Sequence, residues 1–202
     1  MLRISSFAAP GQPGKNTWEY ISKGDKRMRE LQWVPNFRQL LSNREMTHPF
    51  KLGMYDYLSI EHVFQEHKWC AVFPEQEGYF SIKGKYGMHD LGTIVKMTGH
   101  TRLVMTAEQI KYWKTTRVQK QHDAFKAQCA AWPLKLSVLQ STGRATLMGM
   151  LSDQDYNRDF HMYWLEAIRD NIPLKDYPSK LKVPRGAPET YASAVVCRKG
   201  GE

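Results

Sequence analysis

The positions after Ser59 alternate between apolar and polar with a helical period. Ser59 is a favoured N-cap residue, and Glu61 falls in the first turn, where the helix dipole favours a carboxylate. The positions that follow have the i, i+3, i+4, i+7 spacing of a core-facing stripe: Ile60, Val63, Phe64, His67 and Ala71. The pattern therefore predicts a helix that begins at Ser59.

The chain is predicted to contain further helices. A short helix is expected over residues 90–97, and a long one over 106–131, where Thr106 and Gln109 have the spacing of a capping box. Two more are expected over 134–141, after Pro133, and over 155–171, before Pro173. Strand-like segments lie at 31–34, 50–54 and 145–150, and the glycine-rich segment 74–90 is expected to be irregular.

The two ends of the chain differ in composition from its middle. Residues 1–30 contain Pro and Gly and then a charged stretch, which predicts an N-terminal arm. Residues 173–202 are rich in Pro, Lys and Arg, which predicts a basic C-terminal arm. A single domain is expected between them, over residues 31–172.

Charge and cysteine content narrow the class of protein. The 202-residue chain has a formal net charge of +9, which favours anionic partners such as nucleotides, phosphorylated metabolites or nucleic acid. Its three cysteines, Cys70, Cys129 and Cys197, are far apart in sequence, which argues against a zinc site or a disulfide framework. We expect no secretory signal and no membrane span, and hence a cytoplasmic protein.

The predicted helix after Ser59 carries a second, polar stripe. Glu61, Gln65 and Lys68 lie on a face next to the apolar one, and this stripe is either a functional site or a solvated surface. His62 and Glu66 are four residues apart, as metal ligands can be, but their order does not fit His-Glu-x-x-His. We therefore expect neither a metal nor another cofactor.

The chain resembles the NADAR superfamily over about residues 31–170. The segment from Ser59 to Trp69 is similar to that family's Ser-x-Glu-His-x-Phe-Gln-x-x-Lys-aromatic motif. Shorter similarities occur in the family's order: Pro35-Asn36-Phe37, Pro49-Phe50 with Gly53, Thr98-Gly99-His100, Trp113-Lys114 with Arg117, and Leu139-Gln140-Ser141-Thr142-Gly143. Some members of the family also occur in phages and large viruses, so a viral origin is one reading.

The resemblance implies an α+β fold, with helices packed on a small sheet, and an N-glycosidase-like site. Glu61 would be the central carboxylate, beside the sugar whose bond to a base is broken. Trp113 would stack on the base or close the pocket. Asn36, Gln65 and Lys68 would orient hydroxyl or phosphate oxygens.

The chain also departs from the family. Active members carry a second acid on the strand after the position of Leu147, where this chain reads Met148-Gly149-Met150. The family's Trp-Gly pair and glycine-rich loop are missing as well. Either Asp155 supplies the second carboxylate from a shortened loop, or it is a first-turn acid of the last helix and the site is incomplete.

Three functions follow from these patterns. The first is hydrolysis of a ribosyl–base bond in a phosphorylated nucleotide-like or ADP-ribosyl substrate. The second is binding of ADP-ribose or a related nucleotide without cleavage. The third is a structural role in a virion or ribonucleoprotein assembly, with the basic arms contacting nucleic acid or protein, in the host cytoplasm if the chain is viral.

Overall fold

The computed structural model describes residues 2–4, 31, 34, 37–149 and 160–177. Its helices are α1 (Phe37–Leu40), α2 (Ile60–Cys70), α3 (Leu91–Met97), α4 (Ala107–Ala131), α5 (Pro133–Gln140) and α6 (Tyr163–Arg169). Its strands are β1 (Leu2–Ile4), β2 (Phe50–Leu52), β3 (Tyr55–Tyr57), β4 (Leu147–Gly149) and β5 (Phe160–His161), and single turns of 3-10 helix cover Pro74–Gln76 and Leu174–Asp176. The helix-rich α+β fold class is confirmed.

The strands form two small sheets. In the first sheet β4 is central, parallel to β1 and antiparallel to β5, with Leu2 opposite Leu147 and Met148 opposite His161. The second sheet is the hairpin β2–β3. Gly53 begins its two-residue turn with a φ of +62°, a conformation that favours glycine, as in type II′ turns.

Helix α4 is the central element of the fold. Thr106 and Gln109 form the predicted capping box at its N-terminus. In its C-terminal half the buried side chains have helical spacing and pack against α2, α5, α6 and β2: Gln121, Ala124, Phe125, Gln128 and Cys129. Its N-terminal half is more exposed and carries Trp113 alongside α2.

A buried polar chain joins α4, α5 and the loop before β2. Lys135 is fully buried, and its Nζ donates to Gln128 Oε1 at 2.5 Å. Gln128 Nε2 in turn donates to Glu45 Oε2 at 3.1 Å and to the His48 carbonyl oxygen at 2.8 Å. Burial lowers the pKa of Lys135 to about 8. These bonds satisfy polar groups that would otherwise be costly inside the core.

The segment between α2 and α3 is held by Glu66 of α2. Its carboxylate accepts hydrogen bonds from the Tyr57 hydroxyl and, at 2.8 Å, from the Phe80 N–H. The chain turns tightly at Gly87, where a Cβ would lie 1.7 Å from the Ser81 carbonyl oxygen. Apart from the turn Pro74–Gln76, the predicted irregular segment contains only turns and bends.

One predicted strand is wrong, and one predicted helix is wrong in part. The two described residues of the segment predicted as a strand over 31–34 are not in one, since the Val34 N–H donates to the Leu31 carbonyl at 3.1 Å. The last helix, predicted over 155–171, is confirmed over Tyr163–Arg169, but Phe160–His161 pairs with β4 as β5 and is not helical, and residues 155–159 lie outside the described residues. Backbone pairing with a distant strand here overrides a helical pattern in the sequence.

The predicted arms fall mostly outside the described residues. Within residues 1–30 the structure describes only Leu2–Ile4, which it places in the sheet as β1. The C-terminal arm is described only as far as Tyr177. The domain boundaries at 30/31 and 172/173 therefore stay predictions. None of the described helices combines the length and the apolar character needed to cross a membrane.

Candidate functional site

The polar stripe of α2 is not a solvated surface. Ser59 caps the helix, its hydroxyl accepting from the His62 N–H at 3.3 Å, and α2 begins one residue later, as predicted. Gln65 is buried, with 7% of its surface exposed, and Glu61 and Lys68 are half-buried. The Glu61 N–H donates to the Asn43 carbonyl at 2.8 Å, which ties the start of the stripe to the preceding loop.

The three side chains of this stripe belong to one hydrogen-bond network that includes Thr98. Gln65 Nε2 donates to Glu61 Oε1 at 2.5 Å, and the Thr98 hydroxyl donates to Gln65 Oε1 at 2.6 Å. Lys68 Nζ donates to the Thr98 carbonyl oxygen at 2.5 Å. Thr98 is the C-cap of α3, so the network also fixes α3 against α2.

Trp113 covers the Lys68 end of this network from α4. Lys68 Nζ lies 5.5 Å from the centre of the indole ring, and Arg117 Cζ lies 4.8 Å from it, both within cation–π range. The ring of Phe64 packs against the indole of Trp113, with 5.7 Å between the ring centres. Trp113 Nε1 is buried and has no hydrogen-bond partner among the residues the structure describes. An aromatic face, two cations and an unpaired donor therefore meet beside the stripe.

Burial controls the electrostatics of the stripe. It raises the pKa of Glu61, while the hydrogen bond from Gln65 and the charge of Arg44 act in the opposite direction. Burial also lowers the pKa of Lys68. A carboxyl group whose pKa is raised by desolvation is typical of catalytic acids and bases, although buried structural acids share this property.

Two other titratable residues of α2, His62 and Glu66, each have hydrogen-bond partners within the fold. His62 is fully buried and its Nδ1 lies 2.8 Å from the Ser59 hydroxyl, and burial lowers its pKa to about 4. Glu66 holds Tyr57 and Phe80, as described above. Across the described part of the chain, no group of three or more His, Cys, Asp or Glu residues could hold a metal ion.

The structure brings together four of the six site residues predicted from the sequence. Glu61, Gln65 and Lys68 share one network, and Trp113 lies against Lys68. Asn36 and Asp155 lie outside the described residues. The described part of the last helix is Tyr163–Arg169.

Thr98, Arg44 and Arg117 contact or act on the stripe residues, although no sequence pattern predicted a site role for them. Arg117 follows Trp113 by four residues on a predicted helix, so its position over the ring was available from helical spacing. Thr98 meets Gln65 across 33 residues of sequence, and no local pattern in a single sequence reports such a contact.

Comparison with known proteins adds one similarity. No family model and no curated protein matches the chain. Its fold is similar to that in the NMR structure of the E. coli protein YbiA, with a TM-score of 0.47 and 17% sequence identity. The match covers 66% of this chain and 77% of the YbiA chain.

Proposed function

We propose that the chain is a NADAR-like N-glycosidase that hydrolyses a ribosyl–base bond in a phosphorylated nucleotide-like or ADP-ribosyl substrate, and that it acts in the cytoplasm. The observation that carries the proposal is the position of Glu61, half-buried and held by Gln65 in the network that Trp113 borders. The motifs shared with the family supply the reaction class.

The chemistry requires a carboxylate of this kind. As the base leaves, positive charge builds on the sugar ring, and a carboxylate beside the ring stabilises it or activates the water that captures it. Glu61 would supply this group. Its burial strengthens the interaction, because charges attract more strongly where water is excluded.

The surroundings of Glu61 fit a substrate with a base and a phosphate. The indole of Trp113 offers an aromatic surface on which a base can stack. Lys68 and Arg117 place positive charge at that surface, where phosphate oxygens would be stabilised. Asn36 and Asp155 keep their proposed roles, in orienting the substrate and as the second carboxylate, on the strength of the family resemblance alone.

The alternative is a nucleotide-binding or structural assembly protein that does not cleave its ligand. One sequence feature favours it: Met148-Gly149-Met150 stands where active members of the family carry a second acid. Binding of ADP-ribose would use the Trp113 surface in either case. A thermal shift with ADP-ribose that disappears in Trp113→Ala, without any release of base, would support this alternative.

The first test is release of free base, followed by chromatography. The substrates are a ribosylated aminopyrimidine phosphate and ADP-ribosylated guanosine. Glu61→Gln is expected to reduce the rate by about a hundredfold or more, because it removes the carboxylate and keeps the shape of the side chain. Glu108→Gln, the same change at an exposed acid of α4, is the matched control and is expected to keep full activity.

The outcomes separate the hypotheses. Equal release by the wild type and Glu61→Gln would exclude Glu61 as the catalytic carboxylate. No release by the folded wild type from either substrate would reject these two substrates and favour the binding alternative.

A further inference from the structure

Both ends of the Gln65 side-chain amide are engaged. Its Nε2 donates to Glu61 Oε1, and its Oε1 accepts from the Thr98 hydroxyl at 2.6 Å. A carboxylate can accept hydrogen bonds but has no hydrogen to donate, so ionised Glu61 requires the nitrogen end of the amide. The oxygen end then faces Thr98 and needs a donor, because Gln65 is buried.

The Thr98 hydroxyl is able to meet that need. A hydroxyl has one hydrogen, and two other acceptors lie near it, the carbonyl oxygens of Ile94 at 3.0 Å and of Val95 at 3.4 Å. The Ile94 carbonyl already accepts the Thr98 N–H at 3.1 Å. The shortest contact, to Gln65 Oε1, is therefore the one that places the hydrogen where it is required.

Thr98 is also held firmly in place. It is 1% exposed and is the C-cap of α3, and its carbonyl oxygen accepts from Lys68 Nζ at 2.5 Å. The bond to Lys68 uses the backbone and the bond to Gln65 uses the side chain. A change of side chain at position 98 can therefore remove the second bond and keep the first.

We propose that Thr98 is a positioning residue that acts through Gln65, keeping the donor end of the amide on Glu61 and so favouring its carboxylate form. Any effect of Thr98 on catalysis rests on the proposed function, whereas its effect on the ionisation of Glu61 does not. Besides Gln65, the described group that favours the carboxylate is Arg44, from the loop before β2, while burial opposes it. Lys68 lies on the same helix and Arg117 on α4, both against Trp113.

The test is the pKa of Glu61, measured by carbon-13 NMR titration of its side-chain carboxylate. Thr98→Val keeps the shape of the side chain but lacks the hydroxyl, so we expect the pKa of Glu61 to rise above its wild-type value. Thr98→Ser keeps the hydroxyl and is expected to restore the wild-type pKa. Thr98→Ala also lacks the hydroxyl, and the same rise is expected if valine disturbs folding.

A second pair of proteins, Gln65→Met with and without Thr98→Val, tests whether Thr98 acts on Glu61 through Gln65. In Gln65→Met no amide remains to be oriented, so adding Thr98→Val should leave the pKa of Glu61 unchanged. An unchanged or lowered pKa in both Thr98→Val and Thr98→Ala would overturn the proposal. So would an equal rise from Thr98→Val with and without Gln65.

Activity provides a separate readout. If Glu61 is the catalytic carboxylate, Thr98→Val should slow base release by roughly tenfold at constant pH, in line with the loss of one hydrogen bond. If Glu61→Gln has no effect on base release, the catalytic role proposed for Glu61 fails. The titration result for Thr98 would still decide the positioning role.

Discussion

Two acids on α2, five residues apart, illustrate how burial acts at the scale of a residue. Burial raises the pKa of both Glu61 and Glu66. Glu66 accepts from Tyr57 and Phe80 and serves the fold, whereas Glu61 is engaged by Gln65 at the edge of a half-buried site. A shifted pKa therefore does not identify a catalytic group without the geometry around it.

The buried Lys135 is expected to make the stability of the fold depend on pH. Its pKa is about 8 in the folded chain and 10.5 as a free side chain. Between these values the unfolded chain keeps a proton that the folded chain has released, so folding becomes more favourable as pH rises. Relative to Lys135→Met, the wild type is expected to gain about 3 kcal/mol of stability from pH 8 to 10.5.

Urea denaturation of both proteins across this pH range measures the difference. The comparison cancels the ionisation of tyrosines and cysteines that both chains share. A stability difference that stays constant with pH would mean that Lys135 keeps its ordinary pKa in the core.

At the scale of elements, the sequence predicted features that depend on neighbouring residues, but not those that depend on pairing with another strand. Ser59 and the Thr106–Gln109 capping box marked the starts of α2 and α4, because capping depends on residues within one turn. The strand Phe160–His161 was predicted as helix, since its conformation depends on β4. For the same reason the α2 stripe was readable from spacing, but its contact with Thr98 was not.

The segment between α2 and α3 depends on close backbone approach. A Cβ at Gly87 would lie 1.7 Å from the Ser81 carbonyl oxygen, so the backbone must move in Gly87→Ala. At Gly53 a Cβ meets nothing within 4 Å, and only the φ of +62° is unfavourable. We expect Gly53→Ala to cost about 1 kcal/mol of unfolding free energy and Gly87→Ala to cost more.

Thermal and urea denaturation of the two variants provide the comparison. Equal losses of stability would show that the segment around Gly87 adjusts freely. We expect the segment to resist such adjustment, because the Ile82 N–H donates to the Asp56 carbonyl at 2.7 Å and so ties the segment to β3.

At the scale of the whole molecule, the first sheet joins distant parts of the chain. Strand β1 pairs with β4 in parallel, so Leu2 lies opposite Leu147 and the residues that build α1 to α5 lie between them in sequence. A parallel pair requires a long connection, and here that connection includes most of the described domain.

Removing residues 1–4 is expected to lower the melting temperature and to promote association. The deletion would leave the β4 backbone groups that pair with β1 at a free edge, and such edges tend to pair with other chains. Differential scanning calorimetry and light scattering measure the two effects. A deletion variant with unchanged melting temperature and no association would show that β1 contributes little to the sheet.

The pairing of β1 with β4 also sets an order of events during synthesis. Leu2–Ile4 is made well before its partner Leu147–Gly149, and at about 5–20 residues per second the ribosome needs roughly 7–30 s to reach it. Most of the helical sequence, α1 to α5, is made in that interval, whereas α6, on which α4 packs, is made after β4. The first sheet therefore closes late, after most of the helices have been synthesised.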